Sequence, residues 1–193
     1  MKSLSILIPI YNEEESLQTL FDELKFSFEN NQSIEIIFIN DGSSDMSQKV
    51  IENEIANHST WKLINLYRNY GKSVALQSGI DIASNELIAT LDGDLQDDPK
   101  ELISLVRELN EDDVIVGWKK DRLDPLEKKI ASKIFNFFIK LFSGLKIKDS
   151  NSGIKVLKKE VAKSLNLYGG RHRYIPLLAH QKGFNVKEIP VNH

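Results

Sequence analysis

The sequence predicts an α/β fold with a mostly parallel sheet flanked by helices, and three observations predict it. Short apolar runs recur along the first two-thirds of the chain, and each is followed by a segment with helical spacing. The runs are nearly continuous rather than alternating, as expected of strands buried on both faces. They end in polar, glycine-containing turns such as Asn40-Asp41-Gly42-Ser43 and Asp92-Gly93-Asp94. Repeated βα units of this kind give a doubly wound sheet.

Leu4 to Ile10 is the first predicted strand. Asn12 then reads as an N-cap, with Glu13, Glu14 and Glu15 in the positive first turn of a helix through Phe28. A second strand over 34–39 leads to a helix ending near Asn57. A third over 61–66 leads to a helix over 73–84. The fourth, Leu87 to Leu91, runs into Asp92. Asp98-Pro99 reads as N-cap and first helical residue of a helix reaching Leu109. A fifth strand covers 113–117, and two more cover 153–157 and 184–191, flanking helical segments from Glu160 and over 174–182. The stretch 126–145 is crowded with Ile, Leu and Phe and interrupted by Lys133, Asn136 and Lys140. It suits either a core helix or an interfacial helix with its aromatic face on lipid.

Composition narrows the classes. At 193 residues, 41% hydrophobic and 27% charged, the chain suits one soluble domain with an ample core. With no cysteine, disulfides, thiolate metal sites and a cysteine nucleophile are excluded. The N-terminal apolar run is too short for a signal peptide, and no stretch approaches the ~20 apolar residues of a membrane span. The net charge of −3 is unevenly distributed: residues 119–159 hold 12 Lys/Arg against 4 Asp/Glu. Such a block suits a phosphate-bearing partner or a membrane surface, or is a solvated helix face.

Asp92 and Asp94 carry the strongest chemical signal. Two carboxylates at i, i+2 share one face of an extended backbone and repel each other unless a cation lies between them. Oxygen ligands suit a hard ion such as Mg²⁺ or Mn²⁺ bridging to phosphate. In open parallel sheets ligands bind beyond the carboxyl ends of the strands. Pro9-Ile10-Tyr11-Asn12-Glu13, Asn40-Asp41-Gly42-Ser43 and Asp92-Gly93-Asp94 all end strands, so they converge on one edge.

Other motifs fail. Gly71-Lys72-Ser73 would end a P-loop only with glycine at position 66, which is Leu66. No Gly-x-Gly-x-x-Gly follows the first strand, and the four histidines lack zinc spacing, with His172 alone placed near the predicted edge. The basic block has no nucleic-acid module.

The sequence resembles the family 2 glycosyltransferases of GT-A fold, in particular the polyprenyl-phosphate sugar synthases. The matching stretches are 8–14, Asn40-Asp41-Gly42-Ser43-Ser44-Asp45, Asn69-Tyr70-Gly71-Lys72, 91–97, Asp149-Ser150-Asn151-Ser152-Gly153 and 171–178. The resemblance implies that Pro9, Tyr11, Glu13, Asp41, Gly71, Lys72 and Asp92 bind the nucleotide, with Asp41 near base or ribose and Gly71 allowing close backbone approach. It implies that Asp92 and Asp94, with Gln96 as a third oxygen ligand, hold Mg²⁺ or Mn²⁺ on the diphosphate. Asp94 and Asp149 become the catalytic candidates. Arg122, Lys128, Lys129, Arg171 and Arg173 become candidates for the acceptor phosphate or the diphosphate.

The implied activity is inverting transfer from a nucleotide sugar, UDP-glucose first and GDP-mannose second, to a polyprenyl phosphate at the inner, cytoplasmic membrane face. Residues 1–118 would form the nucleotide-sugar half and 119–193 the acceptor half of a single catalytic domain. Relatives continue past the position of His193 with a basic segment and often two membrane helices, so the expectation is a domain without them. Asn40 departs from the family's first aspartate, and Ile154-Lys155 from its usual Phe-Arg. Rival readings are transfer to a saccharide hydroxyl, a phosphohydrolase or nucleotidyltransferase using the same Asp pair, and a noncatalytic sugar-nucleotide-binding protein. Oligomeric state is left open, a homo-oligomer included.

Overall fold

The computed structural model describes residues 2–28, 31, 33–119, 145, 147 and 152–191. Among the described residues seven strands form one sheet: β1 (Leu4–Ile10), β2 (Ile34–Asn40), β3 (Trp61–Asn65), β4 (Leu87–Thr90), β5 (Val114–Lys119), β6 (Lys155–Lys158) and β7 (Val186–Val191). Their order is β3-β2-β1-β4-β6-β5-β7. Only β6 runs antiparallel to its neighbours β4 and β5; the other pairings are parallel. The predicted mostly parallel α/β sheet is therefore present.

Alternation along the strands builds a core on each face. Leu4, Ile6, Ile8 and Ile10 of β1 and Ile34, Ile36 and Phe38 of β2 pack with helices α1 (Leu17–Phe28), α2 (Ser47–Ile55) and α4 (Glu101–Glu108). Phe21, Phe38 and Trp61 meet there edge-on or tilted, with ring centroids 5.5–6.0 Å apart. On the other face Leu7, Ile37 and Ile39 pack with α3 (Lys72–Ile82), α5 (Lys159–Ser164) and α6 (Ile175–Gln181). A 3₁₀ turn, Arg171–Tyr174, leads into α6.

Strand order reverses at β1: β2 follows on one side and β4 on the other. Right-handed crossovers then place α1 and α2 on one face and α3 on the opposite face. The reversal leaves a crevice beyond the carboxyl ends of β1 and β4, the place where such sheets take ligands.

Two helix starts differ from expectation. Asn12 is not an N-cap; it has φ 55, and α1 begins only at Leu17 after a turn in which Ser16 and Leu17 donate to the Glu13 carbonyl. Its side-chain oxygen instead accepts the Ser44 N–H at 2.8 Å, so a distant loop claims the capping group. Asp98 and Pro99 head a turn rather than the helix itself: Asp98 Oδ1 accepts the Lys100 N–H at 2.9 Å, and α4 starts at Glu101.

At the amino ends of the strands lies a buried carboxylate, Glu35, 6% exposed. Burial alone would raise its pKa. Bonds from Lys62, Ser5 and both the N–H and hydroxyl of Ser84 outweigh that and bring it to about 2. Glu35 thus ties β1, β2, β3 and the turn before β4 together. A carboxylate with a depressed pKa stabilises the fold above its unfolded value of about 4.5, and that contribution is lost as pH falls towards 2. After discounting for the half-exposed Lys62, the term is about 2 kcal/mol at neutral pH. Urea unfolding of Glu35→Gln is expected to show a loss of that size at pH 7, shrinking between pH 4.5 and 2; equal stability at pH 7 would refute it.

Candidate active site

The crevice at the reversal is a cleft of about 290 Å³ lined by Pro9, Tyr11, Glu13, Asp41, Asn69, Gly71, Lys72, Asp92 and Asp94, with Ile10 and Gly93. Every nucleotide-site residue expected from the sequence lies on its wall. Asn69 also lines it and was given no role from sequence; its place just ahead of Tyr70-Gly71, between a strand end and a helix start, is the signal that pointed to it.

The walls are loops braced against one another. The loops after β1 and β2 exchange hydrogen bonds: Asn12 N–H to Ser43 Oγ (3.0 Å), Glu13 N–H to Ser47 Oγ (2.9 Å), and Met46 N–H to Glu14 Oε2 (2.7 Å). Asn40, which departs from the family aspartate, has a structural task. Its amide donates to Asn65 Oδ1 and its oxygen accepts the Ser43 N–H. Gly42 has φ 68, and a Cβ there would lie 2.3 Å from the Arg68 backbone, so only glycine lets the β2 and β3 loops approach this closely.

Asp41 sets the third wall. Its Oδ1 accepts the Tyr70 N–H and its Oδ2 the Gly71 N–H, both at 2.8 Å, and the residue is 4% exposed. Gly71 meets this demand with φ 90 and leads directly into α3. A Cβ on it would meet nothing within 4 Å among the described residues, so the requirement seen here is backbone conformation.

β4 ends at Thr90, and the backbone bends from Gly93 onward, so Asp92 and Asp94 are not on one extended strand, yet both line the cleft. Lys72 Nζ donates to Asp92 Oδ1 at 2.5 Å. Asp94 Oδ1 accepts the Gln96 N–H at 3.2 Å. Leu95, at φ 61, turns the chain, and Gln96 lines a second hollow with Glu23, Phe26 and Asp98 rather than the cleft. Behind Asp92 sits Gly153, where a Cβ would come within 2.8 Å of the carboxylate.

Among the described residues no group of three His, Asp or Glu is placed to hold a metal ion. Asp92 and Asp94 still suit a hard divalent cation whose remaining oxygens come from a ligand. The Lys72 ammonium on Asp92 is a cation already standing at one of those oxygens.

Of the residues expected to meet the acceptor phosphate, Arg171 stacks on the Tyr168 ring at 4.1 Å and Arg173 is exposed; neither lines the cleft. Arg122, Lys128, Lys129 and Asp149 lie outside the described residues, as does most of the aromatic stretch 126–145. No helix among the described residues is long and apolar enough to cross a membrane.

His172 is a neighbour of this site. Ser73 Oγ accepts the His172 backbone N–H at 3.0 Å and stands 2.9 Å from its Nδ1. The Ser73 hydroxyl and the ring Nδ1 thus share one hydrogen bond, whose direction is set by the ring tautomer. Burial, together with the positive charges of Lys72, Arg173 and Lys155, lowers the pKa to about 4 against the opposing pull of Asp92. Between pH 6.5 and 4 the unfolded chain therefore binds a proton that the folded chain refuses, and stability falls as pH falls through that window. The stability gap between wild type and His172→Asn, read from urea midpoints, is expected to close as pH drops from 7 to 4.5; a pH-independent gap would contradict a neutral folded histidine.

The chain has relatives among known proteins. The chain is 37% identical over 178 residues to the dodecaprenyl-phosphate galacturonate synthase of Rhizobium johnstonii, covering 90% of this chain and 53% of that protein. It is 35% identical over 198 residues to the undecaprenyl-phosphate 4-deoxy-4-formamido-L-arabinose transferase of Salmonella choleraesuis, covering 100% of this chain and 60% of that protein. The chain thus spans somewhat over half the length of these relatives. Among solved structures, a mannosyltransferase of Pyrobaculum calidifontis in complex with GDP-Man and Mn²⁺ superposes with a TM-score of 0.74 at 14% identity, covering 98% of this chain and 55% of that one. The glucosyl-3-phosphoglycerate synthase of Mycobacterium tuberculosis with Mn²⁺, UDP-glucose and phosphoglyceric acid gives 0.75 at 13%, covering 99% and 70%. These two likenesses bear on the fold, which is the GT-A arrangement expected from the sequence. Residues 5–165 match the sequence profile described as Glycosyl transferase family 2, and the chain belongs to that family.

Proposed function

We propose that this chain is the catalytic domain of an inverting glycosyltransferase that moves a sugar from a nucleoside-diphosphate donor to a polyprenyl phosphate, with a divalent cation on the diphosphate. The observation that carries the reading is the cleft at the β1/β4 reversal, where Asp92 and Asp94 face Lys72, Asn69, Tyr11 and Asp41. The polyprenyl-phosphate sugar transferases among its relatives support the acceptor class.

In this reading the base and ribose occupy the wall formed by Pro9, Tyr11, Glu13 and Asp41, and the diphosphate lies between Lys72 and the Asp pair. Asp92 and Asp94 would hold Mg²⁺ or Mn²⁺, which neutralises charge on the leaving nucleoside diphosphate as the sugar–phosphate bond breaks. An acceptor phosphate attacking from the opposite face in one displacement inverts the anomeric centre. A phosphate monoester has its second pKa near ~6, so this nucleophile arrives ionised and needs alignment more than a base. Asp149 becomes essential only for a saccharide hydroxyl. Arg171 and Arg173 would meet the acceptor phosphate from the 3₁₀ turn, with Arg122, Lys128 and Lys129 as further contacts. The basic segment suits the anionic inner face of a membrane.

The donors to test first are UDP-glucose and GDP-mannose, beside nucleoside-diphosphate forms of galacturonate and 4-deoxy-4-formamido-L-arabinose, the sugars in the relatives' names. Calorimetric titration of UDP and GDP, each with Mn²⁺ and with EDTA, is expected to show binding of one nucleotide only with Mn²⁺. Asp94→Ala should weaken it at least ~30-fold, about 2 kcal/mol. A transfer assay with polyprenyl phosphate and with a saccharide acceptor then separates the two acceptor classes. Nucleotide binding indifferent to both Mn²⁺ and Asp94 would remove the donor-site reading.

A further inference from the structure

The side chains lining the cleft are charged in a lopsided way. Glu13, Asp41, Asp92 and Asp94 contribute four carboxylates, and Lys72 is the one basic side chain on the described wall. Such a surface repels a bare nucleoside diphosphate and attracts a cation. Its one ammonium is not free for a phosphate; it is paired with Asp92 Oδ1.

We infer that Lys72 is an exchangeable counter-cation of Asp92, which holds the carboxylate until a divalent cation and a nucleotide diphosphate arrive together and then transfers its charge to the phosphates. The inference rests on the donor-site reading above. It assigns Lys72 two successive partners and makes cation and nucleotide bind as one unit.

Three features favour exchange over a static pair. First, the two Asp92 oxygens have different neighbours: Oδ2 faces Gly153, where an added Cβ would come within 2.8 Å of it, while Oδ1 carries the Lys72 ammonium. Second, the pair is open to the cleft, with the two side chains 33% and 25% exposed. Third, the backbone beneath Lys72 is fixed on both sides. Gly71 N–H is held by Asp41, and Ser73 Oγ is held by the backbone and ring of His172. Only the four-carbon stem can swing, and a hydrated point charge on such a stem changes partners without moving the helix.

Electrostatics gives the sign. With Lys72 on Asp92, a free dication must enter beside a like charge and displace it, so free cation binds poorly. When a diphosphate comes with the cation, it offers the ammonium a new anionic partner, and the displacement costs little. After sugar transfer the same steps run in reverse, and the return of Lys72 to Asp92 assists departure of the cation with the nucleoside diphosphate.

The test measures two affinities that move in opposite directions. Mn²⁺ alone is titrated by electron paramagnetic resonance into wild type, Lys72→Met and Lys72→Arg. UDP and GDP with saturating Mn²⁺ are titrated into the same proteins, with thermal melts to confirm folding. Lys72→Met is expected to bind Mn²⁺ alone about tenfold more tightly and the Mn²⁺–nucleotide about tenfold more weakly, a modest factor because the pair is partly exposed. Lys72→Arg keeps the charge and should hold Mn²⁺ affinity near wild type; if Lys72→Met fails to fold, Lys72→Gln replaces it. Mn²⁺ affinity that is unchanged or weaker in the neutral variant overturns the exchange. That result would leave the donor-site reading intact, because Asp94 and nucleotide binding are scored separately.

Discussion

Because Asp41 is 4% exposed and ends a central strand, its carboxylate must find donors within the protein, and it takes the two backbone N–H groups that precede α3. That bond pair decides where the third loop sits. It draws Tyr70 and Gly71 over the end of β2, starts α3 at Lys72, and so aims the Lys72 side chain at Asp92 on the far side of β1. It adds to the Leu66 N–H bond on the Asn40 carbonyl in tying the β3–α3 loop to the end of β2. Gly42 permits the arrangement by letting the β2 loop lie against Arg68, and Gly71 permits it by accepting φ 90.

The same carboxylate bears on what the cleft can recognise. Both Asp41 oxygens already accept a backbone donor, so any contact with a nucleotide base or ribose uses a remaining lone pair on an oxygen that cannot shift. A group held this way selects by geometry, since it does not turn to suit its ligand. Lys72 is the opposite kind of element, a long flexible stem next to a fixed backbone. The cleft wall thus sets a carboxylate fixed by two backbone donors beside a long side chain that is partly exposed.

Strand β1 was legible in full, Leu4 to Ile10, because a strand buried on both faces is apolar throughout and no distant partner is needed to see it. The strand-end clusters were legible for the same reason: once the strands are placed, topology carries their ends to one edge. The failures came where tertiary partners override a local signal. Asn12 and the three glutamates imitate a helix start, yet Asn12 Oδ1 serves Ser44 and Glu14 serves Met46, in a loop some thirty residues away. Gln96 shares the i, i+2 spacing of Asp92 and Asp94, but the positive φ of Leu95 directs it to another hollow. Glu35, between Ile34 and Ile36, looks like a solvent-facing position. It is buried because its partners Ser5, Lys62 and Ser84 come from three other segments, which no local pattern announces.

Lys72 and Ser73 are consecutive residues whose partners lie in different segments of the chain. Lys72 meets Asp92 on the cleft wall, while Ser73 is clasped by His172, in the turn that also carries Arg171 and Arg173. The first turn of α3 is therefore held from two sides. The Oγ–Nδ1 bond works in either direction, since a protonated ring donates to the hydroxyl and a neutral ring can accept from it. Burial first, then the surrounding cations, hold the His172 pKa below its ordinary value, and the foremost of those cations is Lys72. A charge that holds Asp92 on one side thus also helps keep His172 uncharged on the other. The cleft wall and the turn that carries His172 therefore meet at two adjacent side chains of α3.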